Sequence, residues 1–181
     1  MNKFINYTQQ QIKDKMAISI SSDQIYKWFK RKIRIIAYKD ICKYDNIEDL
    51  IGKYNRVIIL YEIRPSYGHW VCLYKNEHTV YYFDSAGAKP EAYLKYTPPE
   101  LAVYCKKYHT YLILLIYESS KNFEYNQYKL QSEEKGINTC GRWCTARLMN
   151  LNISVNDFHK IFISNKKYTP DELVTMLTYN L

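Results

Sequence analysis

Cys140, His69 and Asp84 are the residues of this chain whose types and surroundings suit chemistry, and the chemistry is nucleophilic attack on a carbonyl. A cysteine nucleophile needs an ionised thiol, a nearby base and donors for a developing oxyanion. A helix N-terminus supplies the first and third together. Its free N–H groups and positive dipole end favour a thiolate and can donate to an oxyanion. Cys140 stands where such a helix begins, in Asn138-Thr139-Cys140-Gly141-Arg142-Trp143. Asn138 and Thr139 are cap candidates, and Gly141 leaves room for a substrate carbonyl. From this segment alone, a small buried core thiol fits as well as a nucleophile. Cys144, one turn further on, reads as core.

The base should be a histidine, and the candidates are His69, His78, His109 and His159. His69 follows Tyr67-Gly68 and opens the strand-like run His69-Trp70-Val71-Cys72-Leu73-Tyr74, so it combines a rigid backbone with an open tip. His78 falls in a polar hairpin turn, His109 in a polar stretch and His159 in a terminal helix with no acid placed to orient it. An imidazole base works best when a third group holds its tautomer. Asp84 ends the next strand, in Val80-Tyr81-Tyr82-Phe83-Asp84-Ser85. If a hairpin joins Leu73 to Val80, His69 and Asp84 come to one end of adjacent antiparallel strands, within hydrogen-bonding reach. Taken alone, Asp84 is equally a turn residue before Ser-Ala-Gly.

His69-Trp70, then Phe83-Asp84-Ser85, then a Gln upstream of Cys140-Gly141, in that order, resembles the adenain-like and ubiquitin-like-protein-specific cysteine proteases. The resemblance spans roughly residues 56–150 and looks most like the maturation proteases of large DNA viruses and virophages. It implies Cys140 as nucleophile, His69 as base and Asp84 as its orienter. It also implies a Gln whose side-chain amide joins the Cys140 N–H in the oxyanion hole. In the cellular members that Gln stands about six residues before the Cys; here that position is Glu134, which cannot donate while ionised. Gln131 is the assignment made here, with Gln127 as the alternative and Ser132 to Gly136 as a longer loop.

The elements that must position these residues read as α+β. The fold expected is a central, mostly antiparallel sheet packed by helices, adenain-like, with the cysteine at the N-terminus of a core helix. Ser21-Ser22-Asp23-Gln24 has capping-box spacing ahead of Ile25, Trp28 and Phe29. A second short helix is expected over 45–51. Strands are expected over 56–63, 69–74 and 79–84 as a meander. A helix is expected from Thr97 to about Lys107, opened by Thr-Pro-Pro-Glu. A fourth, buried strand is expected over 111–117 and a fifth over 125–130. Helices over 140–151, 154–163 and 169–181 close the chain. All 181 residues are read as one protease domain, with a helical, basic part over 1–50, a catalytic core over 56–150 and C-terminal helices over 154–181.

Composition bounds the rest. No run of about 18 uncharged apolar residues exists, so no transmembrane helix is expected. The start of the chain is polar and mixed, unlike a secretory signal. Five cysteines, an odd number at wide spacing, argue against a disulfide framework. The net charge is +8, from 26 Lys and Arg against 18 Asp and Glu. Lys27, Lys30, Arg31, Lys32 and Arg34 form its dense cluster, a candidate DNA contact. No metal or cofactor is called for, since there is no Cys-x-x-Cys and no His-x-x-x-His; the resemblance leaves room for a DNA or peptide activator. The expected protein is a monomeric endopeptidase acting on a capsid or other structural precursor, in the virion or host cytoplasm and not secreted. Two other readings fit parts of the chain: an isopeptidase removing ubiquitin or SUMO, and a basic nucleic-acid-binding protein without catalysis.

Overall fold

A computed structural model describes residues 7–100 and 110–181. Five strands form one sheet in chain order: β1 (Arg34–Ala37), β2 (Arg56–Arg64), β3 (Tyr67–Lys75), β4 (Thr79–Phe83) and β5 (Asn122–Tyr125). The central three make the expected antiparallel meander, and a parallel strand flanks it on each side. Among the described residues seven α-helices accompany the sheet: α1 (Gln9–Ala17), α2 (Ser22–Trp28), α3 (Ile47–Ile51), α4 (Tyr111–Glu118), α5 (Cys140–Met149), α6 (Val155–Ile163) and α7 (Pro170–Leu177). Among the described residues no helix is long and apolar enough to cross a membrane.

Both faces of the sheet are covered, which is why β2 reads as an unbroken apolar run instead of alternating. Ile58, Leu60, Trp70 and Cys72 pack with Trp143, Cys144, Phe158 and Val174 on one face. Val57, Ile59, Val71 and Leu73 pack with Ile41, Leu50, Leu112 and Leu115 on the other. The helix bearing Cys140 is buried all round from Cys140 to Leu148, both arginines included. Arg147 donates to Tyr74 Oη and to the Asn150 and Ile153 carbonyls. Arg142 donates to the Thr178 carbonyl at 2.7 Å and to the Lys15 carbonyl at 3.4 Å, and burial pulls its pKa down to about 10.

Several expected elements change. Residues 111–117 form a helix and not a strand: Leu112, Leu115 and Ile116 are buried, while Ile113 and Tyr117 face out, a spacing of three and four. A short apolar run does not by itself distinguish the two. The last strand lies earlier than expected, at Asn122–Tyr125, beside β4. The basic N-terminal part also contributes β1, which continues the sheet past β2. The helix expected from Thr97 to Lys107 falls mostly outside the described residues, and Thr97 to Glu100 form a bend and turn. Cys42 is disulfide-bonded, against the expectation from cysteine count, whereas Cys72, Cys140 and Cys144 are free.

Gly68, just ahead of the strand expected over 69–74, lies inside β3, opposite Glu62. A Cβ there would sit 1.8 Å from the Tyr61 carbonyl oxygen and 2.9 Å from the Glu62 Cα. Both are backbone atoms of β2, so neither can swing aside. Gly68→Ala is therefore expected to pry β2 from β3 next to His69. Urea unfolding should show a loss of about 1–3 kcal/mol, as for overpacked sites generally. An unchanged unfolding midpoint would show that the strands can separate freely at this end.

Candidate active site

Strand register brings the first two residues together. Cys72 pairs with Phe83, which sets Asp84 level with Val71 and puts His69 two residues along the same face. His69 Nε2 is 2.8 Å from Asp84 Oδ1. Asp84 is fully buried, and the His69 side chain is 15% exposed. The same carboxylate oxygen accepts the Ala86 N–H at 2.9 Å, while the Asp84 carbonyl accepts from Asn126 Nδ2. Asp84 is thus locked in place by the turn that follows it.

With Nε2 turned to Asp84, Nδ1 is the ring nitrogen left for the Cys140 thiol, which lies near enough to act on the His69 charge. Burial pulls the His69 pKa down. The bond to Asp84 and the nearness of Cys140, together with their charges, outweigh that and push it up to about 10. The ring is also stacked on Tyr93, with centroids 4.0 Å apart and planes 20° from parallel. The Tyr93 loop is fastened through Glu91, whose carboxylate accepts from Tyr38 Oη and from the Leu112 N–H in the first turn of α4.

Cys140 is the first residue of α5. The expected cap residues are both engaged elsewhere. Thr139 occupies the cap position without a side-chain cap bond, its hydroxyl donating instead to Asp171. Asn138 donates from its backbone to the Met16 carbonyl and from Nδ2 to the Ala17 carbonyl, at the end of α1. The first-turn N–H groups beside the thiol therefore keep their capacity to bind an anion. Gly141 has a different use from the one expected. A Cβ there would lie 2.6 Å from Ile20 Cγ1 and 3.0 Å from Trp70 Cδ1, so its bareness lets α5 close on the protein's own side chains. Cys144 and Cys72 are fully buried, and burial raises the Cys144 thiol pKa well above its ordinary value.

A cavity of ≈ 390 Å³ opens beside His69, walled by Ala86, Tyr93, Tyr96, Gln131 and Ile137 among others. Gln131 thus faces the same space as the histidine. Its Oε1 accepts from Ser85 Oγ at 2.8 Å and its backbone N–H donates to the Ser85 carbonyl. The carboxamide oxygen being held, the –NH₂ end is the part turned to donate. Gln127 is exposed and does not line the cavity. Of the other histidines, His78 is exposed beside Glu77, His159 is stacked on Tyr128, and His109 lies outside the described residues. Tyr93, Ser85 and Asp171 were not singled out from sequence. Tyr93 lies in a loop without periodicity, and Asp171 looks like an ordinary acid in the first turn of a capped helix.

The basic cluster divides. Lys27, Lys30, Arg31 and Lys32 are exposed. Arg34 instead donates to the Leu50 and Asp49 carbonyls and lies over the Tyr44 ring.

No protein-family model matches the chain. Among solved structures, two crystal structures of the ASFV pS273R protease, one of them selenomethionyl, are similar at TM-scores of 0.46 and 0.45 and 16% identity. The likeness covers 91% of this chain and 68% of that one. A curated relative, uncharacterized protein V9 of Sputnik virophage, is 36% identical over 165 residues, covering 89% of this chain and 94% of the relative. At that identity and coverage, the chain belongs to the family of the Sputnik virophage protein V9.

Proposed function

We propose that the protein is a cysteine endopeptidase with Cys140 as nucleophile. One observation carries this reading: the His69 imidazole is bonded to the buried Asp84 carboxylate, with a thiol at the uncapped start of α5 near enough to raise its pKa and an open cavity beside it. That arrangement supplies nucleophile, base, orienting acid and anion-binding N–H groups within one site.

In the proposed reaction the Cys140 proton rests on His69 Nδ1, giving a thiolate beside an imidazolium that Asp84 holds in place. The thiolate attacks the scissile carbonyl. The oxyanion is taken up by the Cys140 N–H and the Gln131 amide. As the C–N bond breaks, His69 gives its proton to the departing amine, leaving an acyl-thioester. Neutral His69 then deprotonates a water, which attacks the thioester and releases the acid and the Cys140 thiolate.

The substrates proposed are structural precursor proteins of a virus particle, cut beside small residues such as Gly, as the sequence resemblance implies. Lys27, Lys30, Arg31 and Lys32 are proposed to hold the enzyme on DNA at the assembly site; Arg34 is left out because its guanidinium is already bound. A randomised fluorogenic peptide library, run beside ubiquitin–rhodamine and SUMO–rhodamine, tests the reading. Cleavage of library peptides with neither modifier conjugate released is the expected outcome. Release of a modifier would move the assignment to isopeptidases, and a folded chain inert on every substrate would remove it.

A further inference from the structure

One buried carboxylate joins the pieces of the site without taking part in the chemistry above. Asp171, the second residue of α7, is 2% exposed and both its oxygens are occupied. Oδ1 accepts from Thr139 Oγ1 and, at 2.9 Å, from Trp143 Nε1. Oδ2 accepts the Ser132 N–H at 2.8 Å. Thr139 and Trp143 bracket Cys140 along the chain, and Ser132 follows Gln131 directly.

All three partners are neutral donors, so the carboxylate neutralises no cation through these bonds. What it fixes is geometry, through charge-assisted bonds that are short and directional. The two proposed oxyanion donors, the Cys140 N–H and the Gln131 amide, lie on separate segments. Ser85 holds Gln131 from the His69–Asp84 side. Asp171 holds the residue after it from the α5 side. We propose that Asp171 is a positioning residue that sets the spacing of the two oxyanion donors; this rests on the cysteine-protease reading above.

The donors engage charge that exists only after attack, so loss of their spacing should lower kcat and leave KM nearly unchanged. Asp171→Asn keeps one carbonyl oxygen for Thr139 and Trp143 but turns an –NH₂ toward the Ser132 N–H, where two donors then face each other. On a library peptide cleaved by the wild-type chain, kcat should fall about tenfold to a hundredfold, the scale of a misplaced catalytic group. Iodoacetamide alkylation of Cys140, which builds no oxyanion, should stay within about twofold in rate on the same argument. Combined with Gln131→Ala, D171N should lower kcat no further, because both changes remove one interaction. If D171N fails to fold, Thr139→Val removes one of the carboxylate's three bonds without touching the backbone or Gln131, and should lower kcat by a smaller factor with KM nearly unchanged. Unchanged kcat in the folded variant, or losses from D171N and Q131A that multiply in full, would overturn the proposal. A wild-type chain with no Cys140-dependent turnover would overturn the protease reading and this inference with it, whereas turnover indifferent to Asp171 removes the inference alone.

Discussion

Cys140→Ala is expected to lower peptide turnover by on the order of 10⁴-fold or more, the scale seen when a nucleophile is removed, while the fold survives. The side chain lost is small, 7% exposed and at the rim of the core beside Ile20 and Trp70. Its removal should change unfolding free energy by about 1 kcal/mol or less, within the ordinary range for single substitutions. Alkylation gives an independent readout. Cys72 and Cys144 are fully buried and should react slowly, whereas the peptide carrying Cys140 should take up iodoacetamide first. Mass spectrometry of the labelled chain would identify that peptide, and the fast phase should vanish in the variant. Residual turnover within tenfold of wild type would place the nucleophile elsewhere.

Asp84→Asn should lower kcat/KM by about 10²- to 10⁴-fold, the range for losing an oriented general acid–base, and should also reshape its pH dependence. In the native protein the His69 proton is held until pH about 10. Activity that needs the imidazolium as general acid should therefore fall only as pH rises through that region. Removing the carboxylate leaves burial opposed by Cys140 alone, so the alkaline limb should move down by about one pH unit. Stability follows the same sign. A histidine pKa raised by folding stabilises the native state fully below its unfolded value of about 6.5, and the gain is lost as pH climbs through about 10. The stability gap between wild type and D84N should accordingly narrow from pH 6 to pH 10. An alkaline limb that stays in place in D84N would mean that Asp84 does not set the His69 charge.

What could be read from sequence followed from short-range rules. Turn residues on either side of the Val- and Tyr-rich runs located β3 and β4, and antiparallel pairing then required His69 and Asp84 to share one sheet end. Capping-box residues located α2 and α7. The helical start of α5 placed Cys140, although only the His69–Asp84 pair, two strands away, raised it above a core thiol. What could not be read depended on tertiary surroundings. Residues 111–117 are apolar in either secondary structure, and only burial of every third or fourth side chain identifies a helix. Gly68 resembles any turn glycine until the Tyr61 carbonyl is seen to occupy the place of its missing side chain. Tyr93 and Asp171 meet the site from loops and helices remote in sequence, with no local pattern to mark them.

The hydrogen bonds of Asn138 and Arg142 also bear on timing. Asn138 grips the Met16 and Ala17 carbonyls, and Arg142 spans from Lys15 to Thr178. Helix α5 is thus fastened both to the end of α1 and to the end of α7, and the two terminal nitrogens of its buried guanidinium are both bonded only when both segments have docked. Such long-range closure is slow relative to local helix formation. A chain folded only through α5 still lacks the Thr178 contact that helps to seat the helix bearing Cys140. On the proposed reading, competence to cut then depends on the docking of α1 and α7 as well as on the meeting of His69, Asp84 and Cys140.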